Sequence, residues 1–299
     1  VTLPHPIPYQ GSKRKLAPVI GRYLPAKIGT FYDPFAGSAA MSIYAAHHRR
    51  ADRFVIADSL EPMIALLRAI VDEPEVISAR YRDLWAGQAN GDAGYFNRIR
   101  ARYNEAGDHV DLLYLICRCV KNSIRFNRHG QFTQSVDKRR LGMRPEKMQD
   151  AVRGVSEILR GRVKFLVGDW LESTADAGTA DFIYMDPPYL GTSTGRDRRY
   201  HRQMTRDELV SGLVSLRRRQ IPFALSYDGS TGGRLYGPPL PDSLGLSRLL
   251  LHAGVSSQAT LNGKREETLE SLYLTPDLAP TESTMPAGQV SLELVPAAS

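Results

Sequence analysis

The sequence predicts an α/β fold: an open, mostly parallel sheet with helices on both faces, an antiparallel strand contributed by a C-terminal hairpin, and an inserted, mainly helical subdomain. Three observations carry this. Four short runs rich in β-branched and aromatic residues each stop at an aspartate, helical periodicity follows several of them, and one long stretch breaks the alternation.

Taken in order, Thr30-Phe31-Tyr32 precedes Asp33, and a helical pattern runs from Ser38 to His48. Arg53 to Ala57 precedes Asp58, and Met63, Leu66, Leu67 and Ile70 recur at helical spacing between Ser59 and Val71. The alternation then breaks from Glu73 to Gln149. This stretch holds a Gly/Asn loop (Gly87 to Gly94), a helix from Val110 to about Ser123 with Leu112, Leu113, Leu115, Ile116 and Cys119 inward, and a basic segment. Val163 to Gly168 precedes Asp169, and Phe182 to Met185 precedes Asp186. Thr205-Arg206-Asp207-Glu208 reads as a capping box opening a helix through Leu209, Leu213 and Leu216. A strand from Ile221 to Tyr227 and a helix around Leu246 to Ala253, closed by Gly254, come next. Val255 to Leu261, a turn at Asn262-Gly263, and Thr268 to Leu274 read as the hairpin. Pro276 to Ser299, with four Pro, three acids and no base, is expected to pack poorly. The expected division is 1–72 with 150–275 as the main domain, 73–149 as the insertion and 276–299 as a flexible tail.

Length and charge narrow the function. The 299 residues suffice for a buried core without a disulfide or metal staple. Net charge is +7, yet Arg118 to Arg144 alone carries +7 and Arg196 to Arg206 carries +4, leaving about −4 elsewhere. Amides and aromatics interleave with these bases, as a polyanion contact requires. Cys117 and Cys119 form neither a disulfide framework nor a C-x-x-C pair, which fits a reducing, intracellular setting. The longest apolar run is broken by Asp111 and Arg118 and no signal pattern opens the chain, so no membrane span is expected. The seven histidines lack ligand spacing, so no metal is expected.

Ligands of an open parallel sheet bind beyond the carboxyl ends of its strands, where Asp33, Asp58, Asp169 and Asp186 fall. Each alone reads equally as a helix cap; four at one edge point to a site. Asp186-Pro187-Pro188-Tyr189 follows a buried strand. Its prolines stiffen the turn and fix the Asp186 carboxylate and Pro187 carbonyl as two acceptors beside an aromatic face, a match for a planar NH₂ group. Asp33-Pro34-Phe35-Ala36-Gly37-Ser38 forms a strand-to-helix turn in which Gly37 admits close approach of a ligand. It is neither the dinucleotide fingerprint nor a phosphate loop. Asp58 is placed to accept from a ribose.

On these residues the chain resembles the Dam-like, alpha-group DNA adenine-N6 methyltransferases, over about Ile7 to Leu274. Pro8 to Leu16, with Tyr9, Gln10, Gly11 and Lys13, is similar to their first cofactor motif. Asp33 to Ser38 resembles D-P-F-x-G, Ala57-Asp58 the acidic ribose motif, Gly168-Asp169-Trp170 the adenine-holding element and Asp186 to Tyr189 the catalytic D-P-P-Y. Arg125 to Phe132 is similar to their target-recognition stretch, and Gly263-Lys264-Arg265 to a phosphate-contacting loop.

The resemblance implies a Rossmann-like methyltransferase sheet and a target-recognition role for the insertion. It implies S-adenosyl-L-methionine as cofactor, double-stranded DNA as partner and a flipped-out adenine as substrate, with Asp186, Pro187 and Tyr189 catalytic. Lys121, Asn122, Arg125, Asn127, Arg128, Arg196, Arg198, Arg199, Tyr200 and Lys264 are expected on DNA, Arg125 reading a guanine. A cognate restriction endonuclease is a candidate partner, and a cytoplasmic, DNA-associated protein of a bacterium or phage-infected cell is expected. The chain departs from the family pattern at Ala39, where many members have Gly, at Ser59, and from Thr133 to Lys138, so the resemblance does not extend to a GATC target. The rival readings are N4-cytosine or RNA adenine methylation, and a catalytically silent DNA-binding module.

Overall fold

The computed structural model describes residues 3–88, 93–188, 204–231, 234–235, 237–255, 267–279 and 290–293. Among these residues nine strands form one mixed sheet: β1 (Ile28–Asp33), β2 (Ala51–Asp58), β3 (Val163–Val167), β4 (Phe182–Met185), β5 (Phe223–Thr231), β6 (Arg234–Leu235), β7 (Ser247–Val255), β8 (Glu267–Leu274) and β9 (Val290–Glu293). Their order is β3-β2-β1-β4-β5-β8-β7-β9, with β6 a short antiparallel addition to β5. The first five run parallel and the last three antiparallel. From β1 the chain winds outward through β2 to β3, then returns to place β4 on the other side of β1. The strand order reverses between β1 and β4, and their carboxyl ends frame the crevice where such sheets bind ligands.

The pleat divides the core by alternation. Phe31, Phe54, Phe182 and Tyr184 point to one face, under α2 (Ala40–His47), α3 (Glu61–Asp72) and α7 (Pro145–Leu159). Tyr32, Val55, Ile183 and Met185 point to the other, where Trp170, Leu209, Leu213 and Leu216 cover them. The last four belong to α8 (Trp170–Ser173) and α9 (Arg206–Arg218). Thr205 opens α9 with the expected reciprocal capping box to Glu208. A short α1 (Ala17–Ile20) precedes β1.

The insertion contains α4 (Pro74–Gly87), α5 (Ala93–Ala106) and α6 (His109–Arg118). Its buried Tyr81, Phe96, Ile99 and Leu113 belong to the same apolar cluster as Phe31 and Phe54 of the sheet. The five inward residues expected of α6 are buried, Cys119 among them, but the helix stops at Arg118. Cys119 is extended, and Lys121 and Asn122 adopt left-handed conformations at φ +60° and +51°, which no helix can continue.

Two expectations are corrected. Leu246 to Ala253 is no helix: from Ser247 on it lies within β7, where Leu249 and Leu251 are buried at the two-residue spacing of a strand while His252 is exposed. Leucines at 246, 249 and 250 also fit a helical stripe, and pairing with β8 and β9 decides the matter. β7, rather than the later run ending at Leu261, is the hairpin partner of β8; Asn262-Gly263 lies outside the described residues. In the expected loose tail, Val290–Glu293 forms β9 against β7.

Candidate functional site

The crevice is built from the turn after β1. Asp33, 2% exposed, accepts a hydrogen bond from Ser42 Oγ of α2 at 2.7 Å. Burial pushes its carboxyl up to about 7; the Ser42 bond opposes the rise, while Asp186 and Asp58 add to it. Asp58, at the end of the neighbouring strand, accepts from the Gly37 and Leu60 amides, each at 2.9 Å, and burial raises its pKa too. The Gly37 bond locks the turn onto β2. Gly37 has φ +50°, and a Cβ there would sit 3.1 Å from the ring of Tyr9. Ala39 takes a left-handed conformation at φ +55° without glycine's freedom.

Residues 9–16 fold over this turn. Ser12 Oγ lies 3.0 Å from Ser38 Oγ and caps the short 3₁₀ turn Lys13–Lys15, while Gly11 at φ +87° allows the reversal before it. The Gln10 amide donates to the Asn122 carbonyl at 3.1 Å, tying this segment to the one after α6. The turn buries Lys13, whose Nζ lies 2.8 Å from Asp186 Oδ1 and 3.3 Å from Glu270 Oε2 of β8. Burial pushes the Asp186 carboxyl up to about 6; Lys13 opposes the rise and Glu270 adds to it. Pro187 is buried beside it. Beneath, the Tyr184 and Ser226 hydroxyls share a hydrogen bond of 2.9 Å. Sequence reasoning missed Glu270; only its place in the sheet brings it here.

Asp169 caps α8 through the Leu171 amide at 2.8 Å. Trp170 is 5% exposed and packs where a Cβ on Gly212 of α9 would be 2.4 Å away. Its indole lies 5.9 Å from the half-buried Phe35 ring. Trp170 thus supports Phe35 from within the core.

In the basic segment, several expected DNA contacts have structural partners. Asn127 Oδ1 accepts from the His129 and Gln131 amides at 2.9 and 3.0 Å and its Nδ2 donates to Gln131 Oε1, holding the turn between Phe126 and Phe132. Asn122 Nδ2 donates to the Ile116 carbonyl and its Oδ1 accepts from Arg140. These two carboxamides shape the segment. Arg139 and Arg140 grip Asp137, and Arg139 chiefly holds that carboxyl down at about 2. Arg118 is buried against the Asp137 carbonyl. The charge count therefore overstates what faces outward. Lys121 and Arg128 are exposed and Arg125 half-buried. Tyr189, Arg196, Arg198, Arg199, Tyr200 and Lys264 lie outside the described residues. No group of three or more His, Cys, Asp or Glu side chains among the described residues is arranged to hold a metal ion.

Comparison with known proteins finds DNA methyltransferases. The chain is 25% identical over 232 residues to the type II methyltransferase M.FokI of Planomicrobium okeanokoites, covering 74% of this chain and 35% of that protein. It is 27% identical over 206 residues to the retron Ec67 DNA adenine methylase of Escherichia coli, covering 64% and 68%. It is 25% identical over 238 residues to the DNA adenine methylase of Escherichia coli strain K12, covering 73% and 78%. The chain thus spans about a third of M.FokI and rather more of the other two. A family model covers residues 9–238, from Tyr9 over the first turn through the Asp186 turn and beyond β5, and by that match the chain belongs to the D12 class N6 adenine-specific DNA methyltransferase family.

Proposed function

We propose that the chain transfers a methyl group from S-adenosylmethionine to N6 of an adenine turned out of duplex DNA. The observation that carries this reading is the placement of Asp186: it ends β4 at the strand-order reversal, one strand from Asp33, with its Oδ1 on a buried lysine.

The crevice fits the cofactor. Gly37 leaves room beside Tyr9 that a side chain would fill, half-buried Phe35 offers a ring, and Asp33, Asp58 and Asp186 make a cluster of acids whose burial is relieved by a cationic ligand. When bound, S-adenosylmethionine supplies a sulfonium-activated methyl group. Asp58 and Asp33 would orient it, the turn from Pro34 to Ser38 would lie against it, and Tyr9, Gln10, Gly11 and Lys13 would close over it. In this reading Asp169 and Trp170 act through the backbone turn and Phe35.

The exocyclic amine of adenine is a poor nucleophile because its lone pair is delocalised into the ring. Asp186 and the Pro187 carbonyl accept its two N–H bonds and favour a pyramidal nitrogen whose lone pair faces the methyl group. As the new N–C bond forms, the bond between that carbon and the sulfonium would break, its electron pair staying on sulfur as a neutral thioether; the nitrogen sheds one proton, and the Asp186 carboxylate is the acceptor beside it. Most of the rate enhancement comes from orientation. Turning the base out costs a few kcal/mol, which stacking on Tyr189 and hydrogen bonds to the base edge offset.

Residues 73–149 serve as the target-recognition region. Arg125 reads a guanine edge, and Lys121 and Arg128, with Arg196, Arg198, Arg199, Tyr200 and Lys264, hold phosphates. Asn122 and Asn127 shape that surface. A cognate restriction endonuclease is the natural partner in a setting like that of the type II relatives. In this reading the protein acts on DNA in the cytoplasm; no helix among the described residues is long and apolar enough to cross a membrane.

Single-molecule sequencing of DNA from cells expressing the wild type beside Asp186→Ala tests the proposal. N6-methyladenine in one short motif, lost in the variant, is expected. Modified cytosine, or unmodified DNA with cofactor binding intact, would refute adenine in DNA as the substrate.

A further inference from the structure

The ammonium of Lys13 serves two carboxylates, Asp186 Oδ1 at 2.8 Å and Glu270 Oε2 at 3.3 Å. Lys13 is 6% exposed, so water does little to screen its attraction to these carboxylates. Glu270 Oε2 is shut off from solvent and takes no hydrogen bond from any described residue, which leaves the lysine to balance it. The sheet brings Glu270 here: it pairs with Gly229 on β5, where a Cβ would be 2.5 Å from the Leu269 carbonyl, so the absence of a side chain lets β8 approach.

An amino group docking on Asp186 must compete for the oxygen that Lys13 already holds. With Glu270 at 3.3 Å, the displaced ammonium keeps a carboxylate beside it. We propose that Glu270 is a positioning residue for methyl transfer: it offers Lys13 an alternative partner, so that the ammonium moves off Asp186 Oδ1 as the adenine amine arrives. This rests on Asp186 being the amine acceptor, as proposed above. Among the described residues, the titratable groups that face Glu270 are Lys13 from the 3₁₀ turn, Asp186 beyond β4 and Tyr184 within β4, with Asp33 of β1 behind Asp186.

In Glu270→Gln the ammonium loses one of its two carboxylates and keeps Asp186. The acceptor is then held harder, and its carboxyl titrates lower. The two carboxylate oxygens, both on one Nζ, are at most about 6 Å apart, and a unit charge lost at that distance in partly exposed surroundings lowers a pKa by about half to one unit.

Single-turnover methylation of duplex DNA across pH, for wild type, Glu270→Gln and Glu270→Asp, reads this directly. The expected result is an acid limb displaced downward by about half to one pH unit in Glu270→Gln, with a plateau rate about tenfold lower. Cofactor affinity should be unchanged, and the limb should be restored in Glu270→Asp. Superimposable profiles overturn the proposal, as does a uniform loss with weakened cofactor binding and no displacement. An NMR titration of the Asp186 carboxyl in the DNA-free proteins gives a readout independent of turnover: a midpoint unmoved by Glu270→Gln also overturns it. A wild type that binds cofactor yet methylates no adenine overturns the underlying reading instead, whatever the titration shows.

Discussion

Replacing Asp33 by asparagine should make the protein more stable than the wild type by an amount that grows with pH. Asp33 is 2% exposed, and burial, reinforced by Asp186 and Asp58, pushes its carboxyl from 3.8 up to about 7. An acid whose pKa is raised by folding binds its proton more tightly in the folded state, so folded stability falls as pH rises. The loss begins near 3.8 and is complete above about 7. At roughly 1.4 kcal/mol per unit, this amounts to about 4 kcal/mol. Asparagine keeps an oxygen for Ser42 Oγ and carries no charge. Urea unfolding of both proteins between about pH 4 and pH 8 measures the gap, which should widen by a few kcal/mol and then level off. Any packing cost of the buried amide shifts the whole curve without changing its slope. A gap independent of pH would show that Asp33 ionises in the folded protein as it does in water, and would remove the case for a crevice that favours a cationic ligand.

Ala39→Gly should stabilise by about 1 kcal/mol, because the left-handed backbone at φ +55° costs alanine what it does not cost glycine; a lowered thermal midpoint would contradict this. Arg102→Ala should cost about 3 kcal/mol in urea unfolding, since it strips both guanidinium donors from Asp111, a fully buried carboxylate. Adding Asp111→Asn should return part of that loss. Arg125→Ala should relax discrimination at one base pair, by about 1–3 kcal/mol, in methylation of a substrate library; uniform weakening across sequences would refute its reading role.

Much of this architecture is written in local pattern. Each of the four parallel strands that stop at an aspartate is a short β-rich run before a turn, and α9 carries its start signal in Thr205 and Glu208. Where the local pattern fits two periods, as from Leu246 to Ala253, only the neighbouring strands choose between them. The site follows the same rule. Gly37, Asp58 and Asp186 are legible because backbone geometry puts strand-end residues in one crevice. Glu270 is a lone acid within a strand, indistinguishable in sequence from a solvent-facing residue until β8 lies beside β5 and the turn after Ser12 buries Lys13. Asn127 carries a local role that its residue type does not announce: its carboxamide holds its own turn.

The pairing of β1 with β4 also governs how the protein is made. Phe31 lies opposite Phe182, so the centre of the sheet joins segments roughly 150 residues apart, with the whole insertion synthesised between them. At about 5–20 residues per second, a ribosome needs roughly 8–30 s to bridge that interval. During it β1 and β2 can pair, and the helices from α4 to α7 can assemble, while the flank of β1 bearing Phe31 waits open. A nascent chain in that state presents a bare strand edge beside an apolar surface, the form most prone to joining a second copy. Slowed synthesis between residues 73 and 159 would therefore lower the yield of folded protein.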